Sequence, residues 1–295
     1  MTALAPVVCA LDPAPETEPA LVAAVELAAR MGGTLHLMTV RPPLADDEYR
    51  APGDPEAGVR AVVEVTVDRA LGAGAYAEIA PRIVVAREDD PAASVAQYAG
   101  EVGVGTLVLG THGRVGLRRF RLGSVAEAVV RRAPCPVLVV PNRSTGRTPG
   151  PDRPVLVPVD FSEPSARALA LARPLADLYG APVEVLHVED GLGWAALAAT
   201  ALAAHEVGVP PNSPPTDADL RAFAERVGAG DVGAHVATGS PADAVVARAE
   251  ALDAGAVVMG THGRSGPARA LFGSVTEAAL RRLRCPLLTV RPAAP

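Results

Sequence analysis

Apolar residues fall in two alternating arrangements along this chain. Short unbroken runs, Val7 to Leu11 and Val155 to Val159, each end at an aspartate, Asp12 and Asp160. Continuous runs of that length predict strands buried on both faces. Longer Ala/Leu-rich stretches follow, Glu18 to Met31 and Glu163 to Tyr179. Both stop at a glycine, Gly32 and Gly180, as helices do. The order then repeats in each half. Second strands are expected at Thr34 to Val40 and Val183 to Val188. Helices follow at about Pro55 to Leu71 and Asp217 to Val227, then third strands near Ile83 to Ala86 and Val232 to Ala237. Helices open at Pro91 and Pro241, proline being favoured in a first turn. Fourth strands at Thr106 to Leu109 and Ala256 to Met259, helices from Ser124 and Ser274, and last strands at Val137 to Val140 and Leu287 to Val290 complete the halves. Strands alternating with helices predict an α/β class with two doubly wound, five-stranded parallel sheets. Such sheets take ligands outside the carboxyl ends of the strands, where the winding reverses. If strands one and four flank that point, Asp12 faces Gly110 and Asp160 faces Gly260.

The halves are a duplication. Gly110-Thr-His-Gly113-Arg114 returns as Gly260-Thr-His-Gly263-Arg264, Gly123-Ser124-Val125 as Gly273-Ser274-Val275, and Cys135-Pro136 as Cys285-Pro286, each 150 residues on. A period this long means a repeated domain rather than a solenoid. The stretch from Pro141 to Pro154, rich in Pro, Gly, Ser, Thr and Arg, reads as a linker. The expected domains are 1–142 and 154–295, joined by 143–153.

Composition narrows the chemistry. The formal charge of −6 argues against nucleic acid or an anionic membrane as partner. No apolar run is long enough to span a bilayer. The first residues lack the basic start of a signal peptide, so the expected location is cytoplasmic. All 27 basic residues are arginine, which excludes a Walker-A or Schiff-base lysine. Cys9, Cys135 and Cys285 lack the spacing of a disulfide framework or zinc site and read as small apolar core residues.

The glycine pattern carries the strongest functional signal. Each half has Gly, two residues, Gly, nine residues, then Gly-Ser: Gly110, Gly113, Gly123, Ser124, and Gly260, Gly263, Gly273, Ser274. Glycines let phosphate approach backbone N–H groups, and a helix opening at Gly-Ser offers further donors and a positive dipole end. Arg114 and Arg264 can neutralise phosphate charge. The competing reading is of turn glycines and an ordinary serine N-cap. Asp12 and Asp160 can touch ribose or adenine, or lie beside a divalent ion held mainly by phosphates. His112 and His262 read as positioning or solvent-facing residues. The stretch from Gly191 to Val207, with Trp194, reads as a surface helix or dimer contact.

These motifs, with Cys135-Pro-Val-Leu-Val-Val, resemble the universal stress protein family in its tandem, ATP-binding form. The resemblance implies the adenine-nucleotide alpha-hydrolase-like fold with strand order 3-2-1-4-5. It implies Asp12 or Asp160 in the nucleotide pocket. Val40 or Val188, ending strand two, would offer backbone hydrogen bonds to adenine, and Val125 and Val275 belong to the glycine motif. The expected cofactor is ATP, with Mg or Mn. The domains would form a pseudo-two-fold pair within the chain through Val137–Val140 and Leu287–Val290, and a homodimer is a further option. The implied role is a nucleotide-dependent stress regulator with an unknown protein partner. The alternatives are a slow ATPase or a scaffold that does not use nucleotide. The halves differ where Asp160-Phe-Ser and Gly239-Ser-Pro241 stand against Asp12-Pro-Ala-Pro-Glu16 and Arg87-Glu-Asp-Asp-Pro91. The first half adds Arg118, Arg119 and Arg121, against Arg269 alone, so its site is expected to lose affinity more steeply with salt.

Overall fold

The computed structural model describes residues 5–12, 17–41, 55–111, 123–142, 144, 148–189, 215–261 and 273–291. The chain divides into two units, Met1–Gly146 and Arg147–Pro295.

The first unit runs β1 (Val7–Ala10), α1 (Glu18–Met31), β2 (Leu35–Arg41), α2 (Pro55–Leu71), α3 (Ala75–Ile79), β3 (Arg82–Arg87), α4 (Pro91–Glu101), β4 (Thr106–Gly110), α5 (Ser124–Arg132) and β5 (Val137–Val140). Its strands lie in the order β3-β2-β1-β4-β5, and every pair is parallel. The expected order is therefore present. Val7, Val8 and Cys9 in β1 and Leu107 and Val108 in β4 are fully buried, which is why those runs carry no polar alternation. Against them α1 turns Leu21, Ala24, Leu27 and Ala28. It stops at Gly32, whose φ of 63° lets its N–H return to the carbonyls of Ala28 and Ala29.

The second unit repeats this with β6 (Val155–Pro158), α6 (Glu163–Tyr179), β7 (Val183–Glu189), α7 (Asp217–Arg226), β8 (Gly233–Thr238), α8 (Pro241–Ala251), β9 (Ala256–Gly260), α9 (Ser274–Arg282) and β10 (Leu287–Val290). Its order is β8-β7-β6-β9-β10, again parallel throughout. Residues 148–153 pack within this unit. Gly150 and Arg153 form a small antiparallel bridge, Arg153 pairs with Asp253 at 3.1 Å, and Pro149 lies against Gly255.

Some expectations needed correction. The strands β2 and β7 run one residue past Val40 and Val188, because pairing continues through Arg41↔Arg87 and Glu189↔Thr238. The short helix α3 was not foreseen; five residues hold too little periodicity to announce it. The helices expected from Ser124 and Ser274 do start there, which sets aside the competing reading of serine N-caps. Gly123 and Gly273 take the cap position. Cys135 is partly exposed, unlike Cys9 and Cys285. Burial pushes the thiol of Cys9 up to about 12 and that of Cys135 up to about 11, so neither is a ready nucleophile.

Candidate functional site

The switch point in each unit falls between the first and fourth strands. In the first unit Ala10 pairs with Leu109, so Asp12 and Gly110 leave neighbouring strands at the same end of the sheet. In the second unit β6 lies beside β9, and Asp160 and Gly260 follow their ends likewise. Both aspartates are half-buried. Val40 and Val188 lie at the same end of the next strand, paired with Ala86 and Ala237. The main chain beyond them is tied to the following loop: the Arg41 carbonyl accepts from Glu88 N–H at 3.0 Å, and that of Glu189 from Gly239 N–H at 2.9 Å.

Each glycine loop is closed at its base. Gly123 N–H donates to the Thr111 carbonyl at 2.8 Å, and Gly273 N–H to that of Thr261 at 2.9 Å. Both threonines are buried and hold the neighbouring last strand through their own N–H groups, to Val140 at 3.2 Å and Val290 at 2.9 Å. These bonds bring the start of α5 to the end of β4, and that of α9 to the end of β9. A glycine cap has no side chain to satisfy first-turn donors, and neither helix has a side-chain cap bond. Ser124 and Val125 are exposed, as is Ser274, while Val275 is half-buried. Each helix thus turns a positive end and uncapped N–H groups toward the switch point. Gly113, Arg114, Gly263, Arg264, His112, His262, Arg118, Arg119, Arg121 and Arg269 lie outside the described residues, as do Glu16 and the stretch with Trp194.

The second unit fixes its aspartate closely. The Asp160 carboxylate accepts from Ser162 N–H at 3.1 Å and from the Ser162 hydroxyl. Ser162 also caps α6. Between them Phe161 is buried with a φ of 61°, a strained conformation for a bulky residue that surrounding packing must enforce. Its ring meets His187 at 5.0 Å and Phe223 at 5.2 Å between centroids. His187 Nδ1 lies 2.9 Å from the Val159 carbonyl; a carbonyl only accepts, so Nδ1 carries the proton there. The Thr276 hydroxyl donates to the Gly260 carbonyl at 2.9 Å; Phe161, His187 and Thr276 escape a motif search because their work is to hold backbone. Ser162 was readable, since Asp-x-Ser before a helix is a turn-and-cap signal.

Acidic residues at the turn after each third strand are partly neutralised. Asp90 caps α4 by accepting from Ala92 and Ala93 N–H, both at 3.1 Å. Its bond from Arg132, helped by that of Ala93, holds its carboxyl below the usual range. In the second unit Arg282 and then Ser240 do the same for Asp243. Among the described residues no three of His, Cys, Asp and Glu gather as a metal-ligand group. No described helix is long and apolar enough to cross a membrane.

The family model described as the universal stress protein family matches residues 4–141 and 153–291. Universal stress protein Rv2005c of Mycobacterium tuberculosis is 33% identical over 193 residues, 63% of this chain and 61% of that protein. Universal stress protein E of Escherichia coli K12 is 37% identical over 73 residues, 25% of this chain and 23% of that one. Two crystal structures share the fold across nearly the whole chain. The functionally unknown protein PA1789 from Pseudomonas aeruginosa has a TM-score of 0.68 at 22% identity, covering 98% of this chain and 93% of its own. A universal stress protein from Archaeoglobus fulgidus has a TM-score of 0.64 at 18% identity, covering 98% of each. With both halves matched and the glycine loops in register, the chain belongs to the universal stress protein family and carries that family's domain twice in tandem.

Proposed function

We propose that the protein is a nucleotide-binding regulator that holds ATP at the switch points of its two domains. The observation that supports this most is the loop closure. Gly123 and Gly273 bring uncapped helix starts to the ends of β4 and β9, beside Asp12 and Asp160. Such a start favours a phosphate tail. Gly110, Gly113, Gly123, Ser124 and Val125 cradle it in the first domain, and Gly260, Gly263, Gly273, Ser274 and Val275 in the second. Arg114 and Arg264 offset its charge. Asp12 or Asp160 meets the ribose or base, and the backbone of Val40 or Val188 meets adenine. Mg or Mn, where present, rides mainly on the phosphates. The shape or partner choice of the protein changes with occupancy, in a cytoplasmic setting.

The test is calorimetric titration of the purified chain with ATP and magnesium. Gly123 and Gly273 have φ of −62° and −65°, so valine fits the backbone there while its side chain occupies phosphate space. We expect Gly123→Val with Gly273→Val to abolish uptake with the melting midpoint retained. Unchanged affinity in the folded double variant would overturn the site.

A further inference from the structure

The third strands of the two domains differ at their outer edges. In β3 the N–H of Glu88 turns inward, to the Arg41 carbonyl at 3.0 Å. Backbone direction alternates along a strand, so Arg82, Val84 and Ala86 face β2 as well. Ile83, Val85 and Arg87 turn their N–H and C=O groups outward. In β8 the same alternation turns Val236 outward, and there the Asp217 carboxylate of α7 accepts its N–H at 3.1 Å. Val85 is the counterpart of Val236, since Val40↔Ala86 and Val188↔Ala237 align the strands. Among the described residues nothing accepts from the Val85 N–H. An open edge of this kind is a template for a further strand.

Arg82 and Glu88 bracket this edge. Both are exposed, and neither meets an opposite charge among the described residues. Their even spacing puts them on one face of the strand. A second copy of β3 laid antiparallel on the edge pairs outward residues with outward ones, so its register shifts only in steps of two. Centred on Val85, Val85 meets Val85 and Ile83 meets Arg87 in the hydrogen-bonded pairs. Val84 then meets Ala86, and Arg82 meets Glu88 twice, by symmetry. A step either way sets Arg82 against Ala86 or Asp90, and Asp90 already caps α4 and pairs with Arg132. Pro81, opposite Asp89, has no N–H to give and ends the ladder. Charges on an edge ordinarily deter pairing; this register turns them into two ion pairs at positions where side chains come close. Arg87 lays its aliphatic stem over Ile83 of the second copy and keeps its charge in water. The second domain has Gly233 and Gly239 in place of Arg82 and Glu88, so the pattern is confined to the edge left open.

We infer that the edge of β3 is a self-association surface, on which a second copy of this chain adds its own β3 antiparallel about Val85, with Arg82 and Glu88 paired between copies. The contact is short, so the association is reversible. Sedimentation of the full chain is expected to give a Kd below about 100 µM for it. Val85→Pro removes only an outward N–H, which an edge strand tolerates. It should abolish the association while the melting midpoint holds. Arg82→Glu alone and Glu88→Arg alone each set like charges opposite one another, and each should weaken it about tenfold or more. Mixed, the two variants should associate with each other as tightly as the unchanged chain does, because each supplies the charge the other lacks. Should Val85→Pro fail to fold, the mixing carries the test. A Kd above about 100 µM overturns the inference, as does association that folded Val85→Pro leaves unchanged. Single variants that lose nothing, or that stay weak after mixing, overturn the pairing of Arg82 with Glu88.

Discussion

One pair of equivalent positions contrasts two ways of burying polar atoms. In the first domain His36 is buried, and its Nδ1 lies 2.9 Å from the Tyr98 hydroxyl. In the second, Glu184 and Arg248 stand there as an ion pair. The first solution pairs a histidine with a hydroxyl, the second two opposite charges. Burial, and then the charge of Arg82, hold His36 below its ordinary 6.5. The sign follows. As pH falls through 6.5, the unfolded chain takes up a proton that the folded chain refuses. Stability is therefore full above that value and is lost below it, until the folded histidine also protonates. Scanning calorimetry should show the first domain losing stability as pH falls below 6.5. His36→Gln, which keeps a hydrogen bond and does not titrate, should flatten that part of the loss; an equal slope in the variant would contradict the assignment.

Helices and strands were readable where their pattern was long. The bounds of α1 and α6 match the apolar periodicity, because Gly32 and Gly180 end both in the left-handed region. The ends of β2 and β7 were not readable, since pairing with the neighbouring strand decides them. The tie between the last two helices of each domain was invisible in sequence. Arg132 reaches Asp90 at 2.5 Å, and Arg282 reaches Asp243 at 2.6 Å. The acid moved from the N-cap into the first turn, yet the arginine kept its place. Both pairs are exposed, where such contacts contribute little, but Asp90 also caps its helix. Urea unfolding should therefore show Asp90→Ala destabilising its domain more than Asp243→Ala does. The opposite order would mean that the cap carries no weight.

At the scale of the whole chain, duplication made the fold and the loop glycines legible. The short β6–β9 register, which stops at Leu156↔Val257 before Pro158, was not, because a missing N–H matters only on the side that faces a neighbour. The packed segment 148–153 was also hidden in a stretch that composition marks as linker. A Cβ on Gly255 would meet Pro149 Cα at 2.3 Å and the Thr148 carbonyl oxygen at 2.6 Å. Gly255→Ala should cost the second domain about 1–3 kcal/mol, as overpacking does, and expose residues 148–153 to proteolysis. Gly105→Ala, facing a side-chain contact at 3.0 Å from Ala5, should cost the first domain less. Denaturation of each variant checks both. With no lysine in the chain, ATP turnover should stay far below about 1 per second, the lower end of the ordinary enzyme range, which a phosphate-release assay reads directly. The bond from each loop-closing glycine to its threonine has one more consequence. The frame is closed at Thr111–Gly123 and Thr261–Gly273 by main-chain atoms alone, so it asks nothing of the side chains on either residue. Sequence between the bonded residues is therefore free to drift, or to be grafted from one half to the other, without the frame having to be rebuilt.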